Sequence, residues 1–196
     1  MKIAVFISDT NPSRGGGYQY ELKISNLIDK IDRSKFKITF ITSNKTISKA
    51  LHDNNINNIT IKSSIINKFF DYLLKNNYIK KYLNILSIFT FEQKLSKYKF
   101  DLIYFLSPNN LIKYVHKHNL ITTVWDQCHR DNVEFPEVAH KGQFKQREEL
   151  IHENIKRSFS IIVETEKSKL NFNKRYGVDL DRIKVLPCTP SDFVDK

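Results

Sequence analysis

A dense group of polar side chains, residues 126–137, follows an apolar run near the middle of the chain. Asp126 comes first, and His129 stands three residues later. A histidine titrates near neutral pH, and an Asp/His pair can orient a hydroxyl group or accept its proton. We therefore predict that Asp126 and His129 are catalytic and that Glu137 binds a ligand. The alternative is a hydrogen-bond network that stabilises a loop and a carboxylate that is only solvated.

Three consecutive glycines lie between the first apolar run and a segment with helical spacing. Glycine lets a ligand approach the backbone, and the N–H groups at the start of a helix attract phosphate. We predict that Gly15, Gly16, Gly17 and the adjacent Tyr18 bind an anionic ligand; the alternative is a tight turn without one. The spacing does not match G-x-G-x-x-G, and no acidic residue ends the second strand, so dinucleotide binding is disfavoured.

Strands and helices alternate along the whole chain. Strands are predicted at residues 3–7, 36–41, 59–61, 101–106, 121–125, 159–163 and 182–186, and an extended loop at 126–142. This pattern predicts an α/β, Rossmann-like, three-layer α/β/α fold with a mostly parallel sheet of about seven strands. Ligands of such sheets bind outside the carboxyl ends of the strands. Residues 15–17, 107–109 and 126–142 should meet there.

Charge and composition limit the classes of protein that fit. The net charge is +11, which suits phosphorylated ligands, anionic lipid or nucleic acid, although many lysines can be merely solvated. The two cysteines are far apart, so neither a disulfide framework nor a metal site is expected. No signal peptide and no transmembrane run is evident, which predicts a cytoplasmic protein, with any membrane contact made from the surface.

A long region, about 65–97, combines lysines with aromatic and aliphatic residues. A basic amphipathic helix of this kind can lie on anionic lipid. The alternative is an ordinary core face with lysines that extend outward to water. The membrane-contact candidates are Lys68, Phe69, Lys75, Lys80 and Lys81.

The chain resembles the N-terminal domains of retaining GT-B glycosyltransferases of family 4. Asp126-x-x-His129 followed by Phe-Pro-Glu is similar to a stretch of that family. So are the glycine loop after the first strand, the strand that leads into Thr165, and Tyr-Gly-Val before a strand that ends in Pro187. The resemblance covers the whole chain, and its motifs are short.

The resemblance implies sugar transfer from a nucleotide sugar to an acceptor hydroxyl, with retention, no metal and no cofactor, in surface glycan or glycolipid synthesis. Residues 1–187 would be the acceptor-side domain, with Thr165 in its site, and residues 188–196 the start of a linker. The family's paired glutamates and diphosphate-binding residues belong to a second domain, in cis or on a separate chain, so this chain alone is expected to be inactive. We expect His129→Ala to lower turnover with little loss of stability.

A different class remains open, a basic binding module without enzymatic activity that docks on membrane or nucleic acid. No RNP-like strand motif and no helix-turn-helix pattern supports nucleic acid. A glutamate-pair domain on a longer or neighbouring chain would favour transfer, whereas salt-sensitive binding to arbitrary DNA would favour the binding module.

Overall fold

The structure is a computed structural model that describes residues 1–8, 16–61 and 91–187. Several of the predicted features lie outside the described residues: Gly15, the membrane-contact candidates Lys68, Phe69, Lys75, Lys80 and Lys81, and the linker at 188–196. Within the described residues, no helix is both long enough and apolar enough to cross a membrane.

One sheet of seven parallel strands organises the molecule. The strands follow the order β3-β2-β1-β4-β5-β6-β7, and every neighbouring pair is parallel. This confirms the predicted α/β Rossmann-like fold. The strands are β1 (Lys2–Ile7), β2 (Lys37–Thr42), β3 (Asn58–Thr60), β4 (Leu102–Phe105), β5 (Asn119–Thr123), β6 (Ser160–Val163) and β7 (Ile183–Val185).

Helices connect these strands. They are α1 (Gly16–Asp29), α2 (Lys45–Asp53), α3 (Cys128–Asp131), α4 (Pro136–Ala139), α5 (Gln143–Arg157) and α6 (Glu166–Tyr176), and residues 91–96 are also helical. Asn44 and Thr165 cap α2 and α6 by accepting first-turn N–H groups, and Gly177, at φ 65°, ends α6.

Hydrophobic clusters cover both faces of the sheet. Consecutive side chains of a strand point to opposite faces, so Phe6 of β1 lies in one cluster and Val5 in another. Residues of α1 and α2 pack on the Val5 side, and the helical residues 91–96 pack on the Phe6 side. A third cluster joins β6 and β7 to α5 and α6. The result is the expected three-layer arrangement.

Two local features differ from the sequence-based expectation. The segment 126–142 holds the short helices α3 and α4, because Asp126 accepts a hydrogen bond from the N–H of Cys128, the first residue of α3, and Pro136 suits the start of a helix. In α1, Leu27 is exposed by 51%, whereas Glu21 is fully buried. Helical spacing located that helix and its residues Tyr20, Ile24 and Ile28, which pack in the cluster with Val5, but it did not show that Leu27 is exposed and Glu21 buried.

Candidate functional site

The carboxyl edge of the sheet contains a topological switch point. Strands β2 and β3 lie on one side of β1, and the chain then crosses over to form β4 on the other side. The order of the strands therefore reverses at β1. Ligands of open α/β sheets bind in the crevice at such a point. The first described residues of α1 and the segment that follows β5 both lie at this edge.

Gly17 and Trp125 bring the glycine turn and the polar segment into contact. A Cβ atom added to Gly17 would lie 2.7 Å from Cη2 of Trp125, so no side chain fits there without movement of the indole. The indole also meets the ring of Tyr20 edge-on, with the centroids 6.2 Å apart. Gly17, from the predicted segment 15–17, thus contacts the residue that precedes the predicted segment 126–142, and residues 107–109 follow β4 at the same edge of the sheet.

The other members of the glycine turn differ in exposure. Gly16 is exposed, and no atom lies within 4 Å of a Cβ added there. Tyr18 is 8% exposed and packs in the hydrophobic cluster with Val5, and its burial raises the pKa of its phenol. Gly16 and Gly17 thus line the edge, while Tyr18 lies beneath it. The ligand-binding roles of all three stay predictions.

Asp126 is exposed at the end of β5. Its Oδ1 accepts a hydrogen bond from the Cys128 backbone N–H at 3.0 Å and from the Cys128 thiol at 2.6 Å. That hydrogen bond, with burial and the charge of Asp126, raises the pKa of the thiol, so Cys128 is held as a neutral donor. No residue in the described ranges donates to Oδ2 of Asp126. This oxygen is available to accept a hydrogen bond from a ligand hydroxyl.

His129 lies away from Asp126, inside the protein. Its side chain is 2% exposed, and its Nε2 lies 2.5 Å from Oε1 of Glu148 on α5. A carboxylate only accepts, so this nitrogen carries the hydrogen. The ring also meets Phe144 edge-on at 5.5 Å. His129 joins the polar segment to α5, and its catalytic role stays a prediction. Because the side chain is buried and bound to Glu148, we now expect His129→Ala to lower stability as well as turnover.

Glu148 is the centre of a network that ties three helices together. Besides His129 it accepts from Arg130, with which it forms an ion pair, and from the Tyr176 hydroxyl at 2.8 Å. Burial opposes its ionisation, but these hydrogen bonds outweigh burial and lower its pKa to about 2. The Arg130 guanidinium also lies 4.8 Å from the centre of the Tyr176 ring. The network holds α3 against α5 and α6.

A second polar contact holds the other side of the segment. Arg175 of α6 donates to Oε1 of Gln127 at 2.9 Å and forms an ion pair with Asp131. Gln127 is 5% exposed, and since arginine only donates, the amide oxygen must face it. The Gln127 Nε2 and the Trp125 Nε1 are buried donors for which no residue in the described part of the chain is a hydrogen-bond partner. Both lie beside Asp126 in sequence.

A buried carboxylate also lies at the end of β1. Glu21 accepts from the Ser8 backbone N–H at 3.2 Å and from the Ser8 hydroxyl at 2.9 Å. The Tyr104 hydroxyl, on neighbouring β4, lies 2.8 Å from the Thr123 hydroxyl of β5. Burial first, then nearby groups that include Glu21, raise the pKa of Tyr104. Polar side chains from three adjacent strands and α1 therefore underlie this edge.

The two remaining candidates, Thr165 and Glu137, each lie at the start of a helix. The Thr165 hydroxyl accepts from the Ser168 N–H at 3.0 Å and caps α6. Glu137 is exposed in the first turn of α4, where a negative charge suits the helix dipole. Their ligand-binding roles stay predictions, and each position already has a local structural explanation.

Sequence reasoning missed Glu21, Glu148 and Arg175. Glu21 carried a signal, because it lies three residues from both Tyr18 and Ile24 and therefore shares their buried helix face. Glu148 and Arg175 carried none, since they lie in polar helices and meet the polar segment only through the tertiary fold.

Chemically, this edge offers an exposed carboxylate oxygen on a rigid support. Asp126 can orient a hydroxyl group, and the indole of Trp125 supplies an apolar surface beside the glycine turn. These are the requirements for binding a polar, hydroxyl-bearing molecule.

Comparisons with known proteins support the fold. No model of a known protein family matches the sequence, and no curated protein matches it. Among solved structures, a glycosyltransferase from Rickettsia africae is similar over 95% of this chain and 42% of its own, with 14% identity and a TM-score of 0.52. Sucrose-phosphate synthase from Thermosynechococcus elongatus is similar over 96% of this chain and 48% of its own, with 12% identity and a TM-score of 0.57. MurG from Acinetobacter baumannii is similar over 100% of this chain and 48% of its own, with 9% identity and a TM-score of 0.51.

These likenesses concern the fold. The chain spans less than half of the length of each of these three structures. The seven-stranded parallel sheet with helices on both faces is therefore a GT-B-like domain fold.

Proposed function

We propose that this chain is the acceptor-side half of a GT-B glycosyltransferase, which moves a sugar from a nucleotide sugar to an acceptor hydroxyl. The observation that carries the proposal is the contact between Gly17 and Trp125. This contact supports the proposal because it joins the glycine turn to the residue that precedes Asp126, at the edge where ligands of open α/β sheets bind. The likeness of the fold to solved glycosyltransferases supports the same proposal.

In the proposed reaction Asp126 binds the acceptor. Its free oxygen accepts a hydrogen bond from the acceptor hydroxyl and holds that hydroxyl in line with the donor. Gly16, around which no atom lies within 4 Å of an added Cβ, leaves space for the sugar or its phosphate at the start of α1, whereas the space at Gly17 is taken by the Trp125 indole. The network around Glu148 keeps the polar segment in place, so the acceptor meets a preorganised surface.

The finer parts of the proposal come from the sequence resemblance. They are family 4, retention at the transferred carbon, no metal, and an acceptor that is a surface glycan or glycolipid at the cytoplasmic face of a membrane. The donor site belongs to a second domain, in cis or on a separate chain, and the described domain alone binds acceptor without turnover.

The test is a transfer assay on the complete two-domain protein, with radiolabelled UDP-glucose, UDP-N-acetylglucosamine and GDP-mannose as donors and a cell-envelope lipid extract as acceptor. Asp126→Asn should lower kcat/KM at least tenfold, because an amide accepts a hydrogen bond from the acceptor hydroxyl more weakly than a carboxylate does. The amide oxygen can still accept from the Cys128 N–H, so the start of α3 is preserved. Asp53→Asn, at the exposed end of α2, is the control. Absence of transfer from every donor refutes the proposed function, and equal activity of both variants removes Asp126 from the site.

A further inference from the structure

A cavity of about 420 Å³ lies at the β3 edge of the sheet, apart from Asp126. It is lined by residues from α2, from the end of β3 and from the helical residues 91–96 and their continuation: Lys45, Thr60, Ile61, Lys94, Lys97 and Tyr98. Cavities that hold small ligands begin at about 300 Å³. The space is therefore large enough for a small ligand.

Three lysines from distant parts of the sequence converge on this cavity. Lys45 begins α2, whereas Lys94 and Lys97 come about fifty residues later. None of the described lining residues is acidic, and neither Lys45 nor Lys97 forms an ion pair with any residue in the described ranges. Like charges that face one space repel each other, and a bound anion relieves that repulsion.

The rest of the lining suits a phosphorylated ligand. The Thr60 hydroxyl adds a polar group that can donate to a phosphate oxygen. Tyr98 forms a wall that is held by stacking on the buried Phe100 ring, with the centroids 5.6 Å apart. A fixed aromatic surface beside ammonium groups can pack against the carbon skeleton of the molecule that carries the phosphate.

The cavity is a second site and not an extension of the first. Lys45 follows β2 and Asp126 follows β5, and these strands are three positions apart in the sheet. At about 4.8 Å for each step, the lateral separation is about 14 Å. We propose that the cavity binds the phosphate or pyrophosphate group of an anionic ligand, either a soluble metabolite or a lipid headgroup.

A pair of matched double variants tests the proposal without any nucleotide sugar, so its outcome is independent of glycosyl transfer. Lys45→Gln/Lys97→Gln removes two charges from the cavity, and Lys30→Gln/Lys174→Gln removes two exposed charges elsewhere. Circular dichroism should show both variants folded, since all four side chains are exposed apart from their cavity contacts.

Two probes distinguish the sources of phosphate. Calorimetric titration with inorganic pyrophosphate tests the soluble source, and sedimentation with phosphatidylcholine vesicles, with and without phosphatidylglycerol, tests the headgroup. For at least one probe, the cavity variant should bind at least tenfold more weakly than wild type while the control stays within twofold. Equal weakening of both variants, or no binding of either probe by wild type, would overturn the proposal.

Discussion

Replacement of Glu148 by glutamine should destabilise the fold strongly. The pKa of this carboxyl is about 2 in the folded protein and 4.5 ordinarily, a difference of about 2.5. Such a difference corresponds to about 3 kcal/mol of stability at pH 7. The side chain is 13% exposed, so solvent screening takes little from this value. Glutamine also turns an N–H group toward Arg130, which only donates.

The predicted loss depends on pH in a defined direction. Because the folded pKa is the lower one, the stability from Glu148 is complete above about pH 4.5 and is lost as the pH falls through about 2. At pH 3 about 1 kcal/mol should remain of the difference between wild type and Glu148→Gln. The difference should therefore shrink about threefold between pH 7 and pH 3.

Urea denaturation followed by circular dichroism at both pH values measures this difference, and at pH 7 the melting temperature should fall by about 6–12 °C. Glu149→Gln is the control, since Glu149 is 66% exposed and its ion pair with Lys145, at 3.9 Å, contributes less than about 1 kcal/mol. Equal stability of the two variants at pH 7, or a loss in Glu148→Gln that is the same at pH 3, would refute the role of Glu148.

Two further predictions concern the carboxyl edge. Gly17→Ala should lower the free energy of unfolding by about 1–3 kcal/mol and change the tryptophan fluorescence, because the new Cβ displaces Trp125, the single tryptophan. Gly16→Ala, with open space around the new Cβ, should change neither quantity, and the same behaviour of both variants would contradict the contact. In a variant whose other cysteine is replaced by serine, Asp126→Asn should speed the reaction of Cys128 with iodoacetamide at pH 8, because the pKa of the thiol falls and more of it is thiolate. An unchanged rate would show that Asp126 does not raise the pKa of this thiol.

The alternation of apolar runs with helical spacing was enough to predict the architecture. All seven predicted strands are present, and each of their ends lies within two residues of the observed one. An apolar run such as 3–7 is buried on both faces, so it needs a layer of helices on each side, and this requirement is local to the sequence. The loop 126–142 was predicted less well, because a four-residue helix such as α3 depends on one capping side chain.

The candidate site was predicted only in part. The types of residue at 126–129 indicated chemistry, but they did not show which side chains face outward. Asp126 is exposed, and His129, three residues later, is buried against Glu148. The spacing of two residues in a turn does not determine the direction of their side chains, and the partner that turns His129 inward is 19 residues away.

By itself, the sequence determined the order of strands and helices, the parallel sheet and the edge at which polar segments emerge, because periodicity and glycine placement act over a few residues. The tertiary structure alone decided that Gly17 lies against Trp125, that Glu148 gathers three donors, and that Lys45 and Lys97 face one cavity. These contacts join residues that are distant in the chain, and their energies depend on burial and geometry that exist only after the layers have packed.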